Sequence, residues 1–145
     1  MPHRLAIKYR SHASFVIYRT AFRDEKLVYV IRASKKIKYP WGQSRIGYIG
    51  TTKKGARRIA SSAVSKGEDL LYLFGIKHLE IHIVTCGKIK GVETRKKLER
   101  ALLLRFKERF GGLPRANTAG KKGHFKDEKE YFSYDKLDKV IDRLS

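Results

Sequence analysis

A long helical pattern with an abrupt stop constrains this chain more than any other feature. From residue 91 to residue 110, apolar side chains recur at helical spacing. The run Gly111-Gly112-Leu113-Pro114 follows directly and combines the two residue types that end helices most reliably. A helix with such an apolar stripe must pack on another element, so the rest of the chain has to supply a partner surface.

Short runs rich in β-branched and aromatic residues supply that surface. We predict strands at residues 13–22, 27–31, 46–51 and 77–86, with a polar hairpin turn at residues 23–26. The last strand alternates cleanly, because Leu79, Ile81 and Ile83 share one face. This alternation is typical of a half-buried strand.

The remaining segments complete one α+β domain. Residues 33–44 contain three lysines, Pro40 and Gly42, and predict an exposed basic loop. A helix is predicted from Lys53 to about Lys66, ended by Gly67, and a closing helix is predicted at the C-terminus. Residues 69–75 fit no single pattern. We therefore expect a small mixed or antiparallel sheet flanked by helices, with a core at about 27–117, an N-terminal hairpin in 1–26 and a C-terminal basic loop and helix in 118–145.

The charge of the chain predicts a polyanionic partner. The 145 residues hold 34 Lys plus Arg against 14 Asp plus Glu, which gives a net charge of +20. Nucleic acid is the first candidate, and an anionic membrane surface is the second, although no run approaches the length of an apolar span. The first four residues lack the apolar core of a signal peptide, so we expect the chain to stay inside the cell. The single cysteine, Cys86, has no partner for an internal disulfide and is expected to be a small core residue.

One carboxylate lies where the long helix should be apolar. Glu99, Leu103, Phe106 and Phe110 stand at i, i+4, i+7 and i+11, on one face of the helix. A buried carboxylate costs several kcal/mol unless a proton, a basic group or a metal ion neutralises it. A glutamate at the edge of the stripe, bonded to one of the many lysines, remains an alternative. Glu108 falls on the opposite side and is expected to be solvated.

Two tyrosines and an arginine mark a second unusual stretch. Tyr29 and Tyr48 lie nineteen residues apart in predicted strands, and Arg58 follows ten residues later in a predicted helix. The chain contains no carboxylate between Glu25 and Glu68, so this region stays positively charged. After the long helix, Asn117 lies in a loop of small residues, where asparagine is most often a turn former.

These residues, in this order, resemble the signature of the GIY-YIG nuclease family. The resemblance rests on Tyr29, on Tyr48-Ile49-Gly50 with Arg58 ten residues past the tyrosine, on Glu99 at the start of Glu-Arg-Ala-Leu-Leu, and on Asn117. It spans residues 27–117 and therefore most of the chain. Each string alone is weak, but five elements in order are fairly specific.

The resemblance implies a metal-dependent endonuclease acting on DNA rather than RNA. In this interpretation Tyr29 is the general base, Tyr48 positions the attacking water or shares in proton transfer, and Arg58 stabilises the phosphate. Glu99 holds one Mg²⁺ or Mn²⁺ ion, and Asn117 bonds within the site. A tyrosine base requires a pKa below its usual value of ~10, and we expect the carboxylate-free, Lys- and Arg-rich surroundings to lower it.

The other cations are expected to follow the nucleic-acid backbone on two sides of that site. They are Lys35, Lys36, Lys38 and Arg45 in the predicted loop, Lys53, Lys54 and Arg57 at the start of the first helix, and Arg115, Lys121, Lys122 and Lys126 after the long helix. Tyr39 and Trp41 either stack on bases or pin their own loop. Sequence recognition is expected to be modest or to need a dimer or a partner protein.

Two other functions remain open at this point. His78, Glu80 and His82 share one strand face and include the two-histidine, one-carboxylate set that transition metals favour, although a solvated strand face explains them as well. The stronger alternative is a basic nucleic-acid-binding protein, such as one associated with RNA or a ribonucleoprotein, that keeps the fold without the activity.

Overall fold

The computed structural model describes residues 5–8, 11, 26–117 and 123–145. In chain order its elements are β1 (Leu27–Tyr39), β2 (Gly42–Thr52), α1 (Ala56–Leu73), β3 (Leu79–Val84), α2 (Thr94–Phe110), α3 (Glu128–Tyr131) and α4 (Tyr134–Leu144). The predicted α+β class is confirmed. The predicted N-terminal strand at 13–22 and its turn lie outside the described residues, apart from Lys26.

The three strands form one antiparallel sheet in the order β2-β1-β3. β1 lies in the centre and is almost entirely buried over its first five residues, which are all aliphatic or aromatic. Its register pairs Tyr29 with Gly50 and Ile31 with Tyr48 on one side, and Tyr29 with Ile83 on the other. Partners across a ladder share a face of the sheet, so both tyrosines point to the same side.

The predicted basic loop at 33–44 is wrong, because β1 and β2 continue through it as one long hairpin. Ile37, Tyr39 and Ser44 are buried, whereas Lys36 and Lys38 between them are exposed. The lysines therefore occupy the outward positions of an alternating strand. Pro40 and Trp41 form the tight turn, where the proline interrupts no ladder. The Trp41 backbone N–H donates to the Phe110 carbonyl at 3.1 Å, which attaches the turn to the end of α2.

The predicted end of α1 at Gly67 is also wrong, because the helix continues to Leu73. A Cβ at Gly67 would lie 2.7 Å from Leu79 Cδ1, so the glycine allows β3 to approach the helix closely. The segment from 69, which had no assignment from its pattern, belongs largely to this helix. Gly75, with a φ of 60°, lies in the turn that leads to β3.

β3 is shorter than predicted and less regular in burial. Leu79 and Ile83 are partly buried as expected, whereas Ile81 is 40% exposed. β3 is an edge strand that pairs only with β1 among the described residues. Edge position therefore limits how much of its apolar face is covered.

α2 is the helix that the long pattern predicts, and it ends at Gly111 in the left-handed conformation, with a φ of 81°. Its C-terminal half stacks Phe106 on Phe110, with ring centroids 4.5 Å apart, and Tyr39 meets the edge of Phe106. The predicted closing helix is confirmed as α4, which Arg105 holds to α2 through paired bonds to Asp138. The short α3 was not predicted. Within the described part of the chain, no helix has the length and apolarity needed to cross a bilayer.

Candidate active site

Tyr29 and Tyr48 form a close pair on one face of the sheet. Their ring centroids are 5.8 Å apart and the rings are tilted by 41°. Both rings lie over Gly50, where an added Cβ would be 2.6 Å from Tyr48 Cε1 and 2.7 Å from Tyr29 Cζ. No side chain larger than hydrogen fits at that position without moving a ring. The Tyr-Ile-Gly string is thus a packing unit, since its glycine accommodates its own tyrosine and the one on β1.

The two tyrosines differ in their access to solvent. Tyr29 is 1% exposed and is one of the largest fully buried side chains in the described residues. Tyr48 is only partly buried, and the ammonium of Lys66 lies 5.7 Å from its ring centroid. A general base must reach the water that it activates. Tyr48 is therefore the member of the pair that contacts solvent, whereas Tyr29 packs against the buried side of the Tyr48 ring.

The expectation that this environment lowers a tyrosine pKa is not met at Tyr48. Burial, together with the hydrogen bond and the charge interaction with Tyr29, raises the pKa of Tyr48 to about 12. The charge of Arg58 on α1 acts in the opposite direction, but its effect is smaller. Positive charge nearby does not compensate for the loss of water around a phenolate. Tyr48 is consequently neutral at physiological pH.

Alkaline titration should show two late-ionising phenols. Burial also raises the pKa of Tyr39 to about 12, so Tyr39 and Tyr48 should form phenolate well above the usual value of ~10. Because both folded-state values lie above the unfolded value, the stability that the neutral phenols contribute is full below pH ~10 and is lost as the pH rises toward about 12. Phenolate absorbance measured against pH should lose one late step in Tyr39→Phe and one in Tyr48→Phe. A Tyr48→Phe curve identical to that of the wild type would contradict the assignment.

Asn117 connects the loop after α2 to the exposed edge of β2. Its side-chain amide Nδ2 donates to the Ile49 carbonyl at 2.8 Å, and its Oδ1 accepts from the Ile49 N–H at 3.0 Å. The Ala116 N–H donates to the Gly47 carbonyl at 2.9 Å. Asn117 thus pairs with Ile49 as a backbone partner would, and Ala116 bonds to the strand edge on the other side of Tyr48. Asn117 is a positioning residue for β2 and more than a turn former.

Glu99 is buried in α2, as its position on the apolar stripe predicts. It is 4% exposed, and it takes part in an interaction within the fold. One helical turn earlier, Arg95 Nη1 donates to Thr51 Oγ1 at 3.3 Å, and Thr51 directly follows Gly50. The Glu99 turn of α2 therefore packs near the same segment of β2 that carries Tyr48. The tyrosine pair faces α1, whereas Thr51 points to the other face of the sheet, so Glu99 and the tyrosines approach β2 from different sides.

α1 contributes more to this site than the sequence interpretation recognised. Arg58, Ser62 and Lys66 follow one another at i, i+4 and i+8, and therefore share one face of the helix. Arg58 is exposed, Ser62 is buried, and Lys66 lies near Tyr48. Lys66 was not identified as a site residue from the sequence. Its spacing of eight residues from Arg58, which places both on one face of a helix, is the signal that identifies it.

The proposed backbone-binding cations divide into exposed groups and groups engaged within the fold. Lys35, Lys36 and Lys38 on the hairpin are exposed, as are Lys53, Lys54 and Arg57 near the start of α1 and Lys126 before α3. Arg45 is partly buried. Lys121 and Lys122 lie outside the described residues.

Arg115 has a structural role that the charge pattern did not indicate. Its guanidinium donates to the Lys38 carbonyl at 2.6 Å and lies 5.1 Å from the Tyr39 ring centroid. The Tyr39 hydroxyl donates to the Ile46 carbonyl and accepts from the Arg115 N–H, so Tyr39 is a core residue and does not stack on bases. Trp41 is 71% exposed and remains available to a partner.

The alternative metal site on β3 is not formed. Glu80 Oε2 lies 3.2 Å from Arg32 Nη1 and 2.9 Å from His82 Nε2. The carboxylate is therefore paired with an arginine, which competes with a metal ion for it. His78 precedes the strand. In the described ranges no group of three His, Cys, Asp or Glu side chains is arranged to hold a metal ion.

Comparison with known proteins gives no relative. No protein-family model matches the chain, and neither a curated protein nor a solved structure is similar to it.

Proposed function

We propose that this chain is a metal-dependent endonuclease that hydrolyses phosphodiester bonds in DNA. The observation that carries the proposal is the packing of Tyr29 and Tyr48 over Gly50, with the exposed Arg58 beside Tyr48. A permanently charged guanidinium next to a solvent-facing phenol suits a phosphate ester and an attacking water. Strand packing alone explains a buried Tyr29, but it does not explain an arginine kept beside a partly exposed phenol in a carboxylate-free stretch.

Each residue of the cluster has a distinct part in this proposal. Arg58 binds the non-bridging phosphate oxygens through its planar fork. Tyr48 orients the attacking water, and Tyr29 holds the Tyr48 ring in place by packing against it. Because the Tyr48 pKa is about 12, only a small fraction of the phenol acts as a base at neutral pH, and its neutral form acts as a donor. Tyr29 is thus reassigned from base to positioning residue.

Glu99 is the residue that would hold a divalent ion. Mg²⁺ is commonly bound by one or two carboxylates, with waters and substrate phosphate completing its shell, so a single buried glutamate fits such an ion better than a complete protein cage does. When bound, Mg²⁺ or Mn²⁺ would neutralise charge that develops on the phosphate and the leaving oxygen.

The exposed lysines of the hairpin and of the α1 start would neutralise the DNA backbone around the site. Lys35, Lys36 and Lys38 project from one end of the sheet, and Trp41 marks the tip of that hairpin. Two-stranded ribbons of this kind fit the major groove of a duplex. Contacts of this type position the duplex without selecting sequence, so recognition is expected to be modest.

A second candidate function is nucleic-acid binding without cleavage. Two observations favour it: the nearly complete burial of Tyr29 and the raised pKa of Tyr48. Burial keeps Tyr29 away from an attacking water, and the raised pKa of Tyr48 leaves little of its phenolate for base catalysis. In this candidate the charge and the hairpin serve an RNA or ribonucleoprotein partner.

Plasmid cleavage separates the two functions. We expect the purified protein to nick or linearise supercoiled DNA with Mg²⁺ or Mn²⁺ and not with a chelator, and Tyr48→Phe to reduce the rate by on the order of 10²-fold. Tyr72→Phe is the matched control, because Tyr72 is an exposed tyrosine on α1. This variant should cleave DNA at the wild-type rate. Binding to DNA and RNA substrates with no cleavage of either would establish the second function instead.

A salt series tests the binding surface independently of cleavage. Replacing Lys35, Lys36 and Lys38 by glutamine should weaken DNA binding on all sequences and flatten the dependence of log K on log salt by up to about 3. Lys136→Gln and Lys139→Gln on α4 remove exposed cations from another element and serve as controls. An unchanged slope in the hairpin variant would place the DNA elsewhere.

A further inference from the structure

A surface pocket of about 480 Å³ lies at the other end of β1 from the hairpin tip. It is bounded by the first residues of β1, by the connection that follows β3, and by the first turns of α2. Its volume falls in the range of small-molecule sites, roughly 300–1,000 Å³. None of the residues proposed for phosphodiester hydrolysis lines it.

The pocket combines an apolar base with cationic walls. Leu27, Val28 and Leu98 line it and are almost fully buried. Four cations also line it: Lys26, Lys88, Lys90 and Arg95. Glu93 is the one carboxylate among the lining residues, and it forms an ion pair with Lys96 at 2.7 Å. The lining therefore keeps a net positive charge next to an apolar surface.

Arg95 is the residue that most strongly indicates an anion-binding site. It is 8% exposed, yet its guanidinium has five N–H donors and few acceptors. Nη1 makes one long bond of 3.3 Å to Thr51, and Nη2 is 3.9 Å from a Glu93 oxygen. Among the described residues, Nε has no hydrogen-bond partner. Burying a charged group with unpaired donors is costly, so a bound anion would satisfy what the fold leaves open.

The start of α2 adds to the same preference. Its N-cap residue Glu93 makes no side-chain cap, and its first turn contains no acidic residue. The N–H groups of Thr94 and Lys96 already donate to the Val92 and Glu93 carbonyls, so it is the dipole of this seventeen-residue helix that favours an anion at this end. The helix terminus, the buried arginine and the three lysines thus all act in one direction.

We propose that this pocket binds a small phosphomonoester, of the size and partly apolar character of a mononucleotide. Arg95 binds the phosphate at the helix terminus and the lysines neutralise its second charge. The base or another flat group rests on Ile89 and Val92, the apolar lining side chains that keep exposed surface. The phosphate belongs either to a free nucleotide or to the end of a nucleic-acid strand. This proposal does not depend on the nuclease function, because the pocket shares no residue with that site.

Calorimetric titration of the full chain tests the pocket. A nucleoside 5′-monophosphate should bind, inorganic phosphate should bind more weakly, and the uncharged nucleoside should not bind measurably. Arg95→Gln should weaken binding of the monophosphate at least tenfold. Lys107→Gln is the matched control, because Lys107 is an exposed cation on the same helix outside the pocket, and it should leave binding unchanged.

Two further arms keep the test decisive. If Arg95→Gln does not fold, the double variant Lys88→Gln/Lys90→Gln, which changes two exposed residues, should reduce affinity by a similar factor. A 5′-phosphorylated oligonucleotide that binds more tightly than both its 5′-hydroxyl form and the mononucleotide assigns the phosphate to a strand end. Tighter binding of the mononucleotide assigns it to a free ligand. Equal binding of monophosphate and nucleoside, or affinity that survives both sets of substitutions, would overturn the proposal.

Discussion

Replacing Glu99 by glutamine should reduce DNA cleavage by on the order of 10³-fold while leaving DNA affinity within about twofold of the wild type. Glutamine keeps the shape of the side chain but loses the negative charge that a hard divalent ion requires. The carboxylate is 4% exposed and approaches β2 from the face opposite to the tyrosine pair, so this variant tests whether an ion held by Glu99 serves the proposed site. Mn²⁺ should raise the melting temperature of the wild type and not that of Glu99→Gln, because only the carboxylate holds the ion.

Glu108→Gln is the matched control for this prediction. Glu108 lies nine residues further along α2, is exposed, and pairs at the surface with Arg105 at 3.0 Å. A surface pair of this kind contributes about 0–1 kcal/mol, so the control should cleave normally. If Glu99→Gln cleaved at the wild-type rate, Glu99 would be a structural buried charge and the metal site would have to be sought elsewhere.

Replacing Gly50 by alanine should destabilise the protein by about 1–3 kcal/mol and reduce cleavage together with stability. The new methyl carbon would lie 2.6 Å from Tyr48 Cε1, 2.7 Å from Tyr29 Cζ and 2.8 Å from the Tyr29 hydroxyl. These atoms belong to rigid rings, which must rotate or shift as a whole. Tyr29 is completely packed and has little room to do so, so Tyr48 should move and lose its position beside Arg58.

Gly112→Ala provides the comparison, since an added Cβ there meets no atom within 4 Å. Urea denaturation should place the Gly112 variant within about 0.5 kcal/mol of the wild type. In a double-mutant cycle, Gly50→Ala should cost less in a Tyr48→Ala background, because the shortest contact is then absent. Equal costs in both backgrounds would show that the tyrosine rings adapt to the methyl group, and the proposed packing constraint would be lost.

The element types were largely predictable because they depend on local periodicity. The helix containing Glu99 and its stop at Gly111, the strands around Tyr29 and Tyr48, and the closing helix at Leu137 to Leu144 all follow from spacing. The two clear errors concern Pro40 and Gly67, which were taken as breakers. Pro40 lies in a tight turn that the long hairpin requires, and Gly67 lies at a close helix–strand contact. Local propensity does not distinguish these uses from a chain break.

The candidate site was predictable as a set of residues and not as an arrangement. Nothing in the spacing of Tyr29 and Tyr48 indicates that one is buried and the other meets solvent, because depth depends on what α1 covers. The pKa of Tyr48 rises to about 12 because desolvation outweighs the nearby arginine, and sequence shows only the arginine. The pairing of Asn117 with the edge of β2 depends on β2 being an edge strand.

The positive charge, the carboxylate-free stretch and the position of Glu99 on an apolar face are properties of residue order and can be read before folding. Which tyrosine reaches water, and the burial of Arg95 with an unpaired Nε beside a pocket, depend on the folded arrangement. Burial and pairing arise from contacts between segments far apart in the chain, such as β1 with the start of α2. Their physical consequences for charge and hydrogen bonding therefore appear only once the chain has folded.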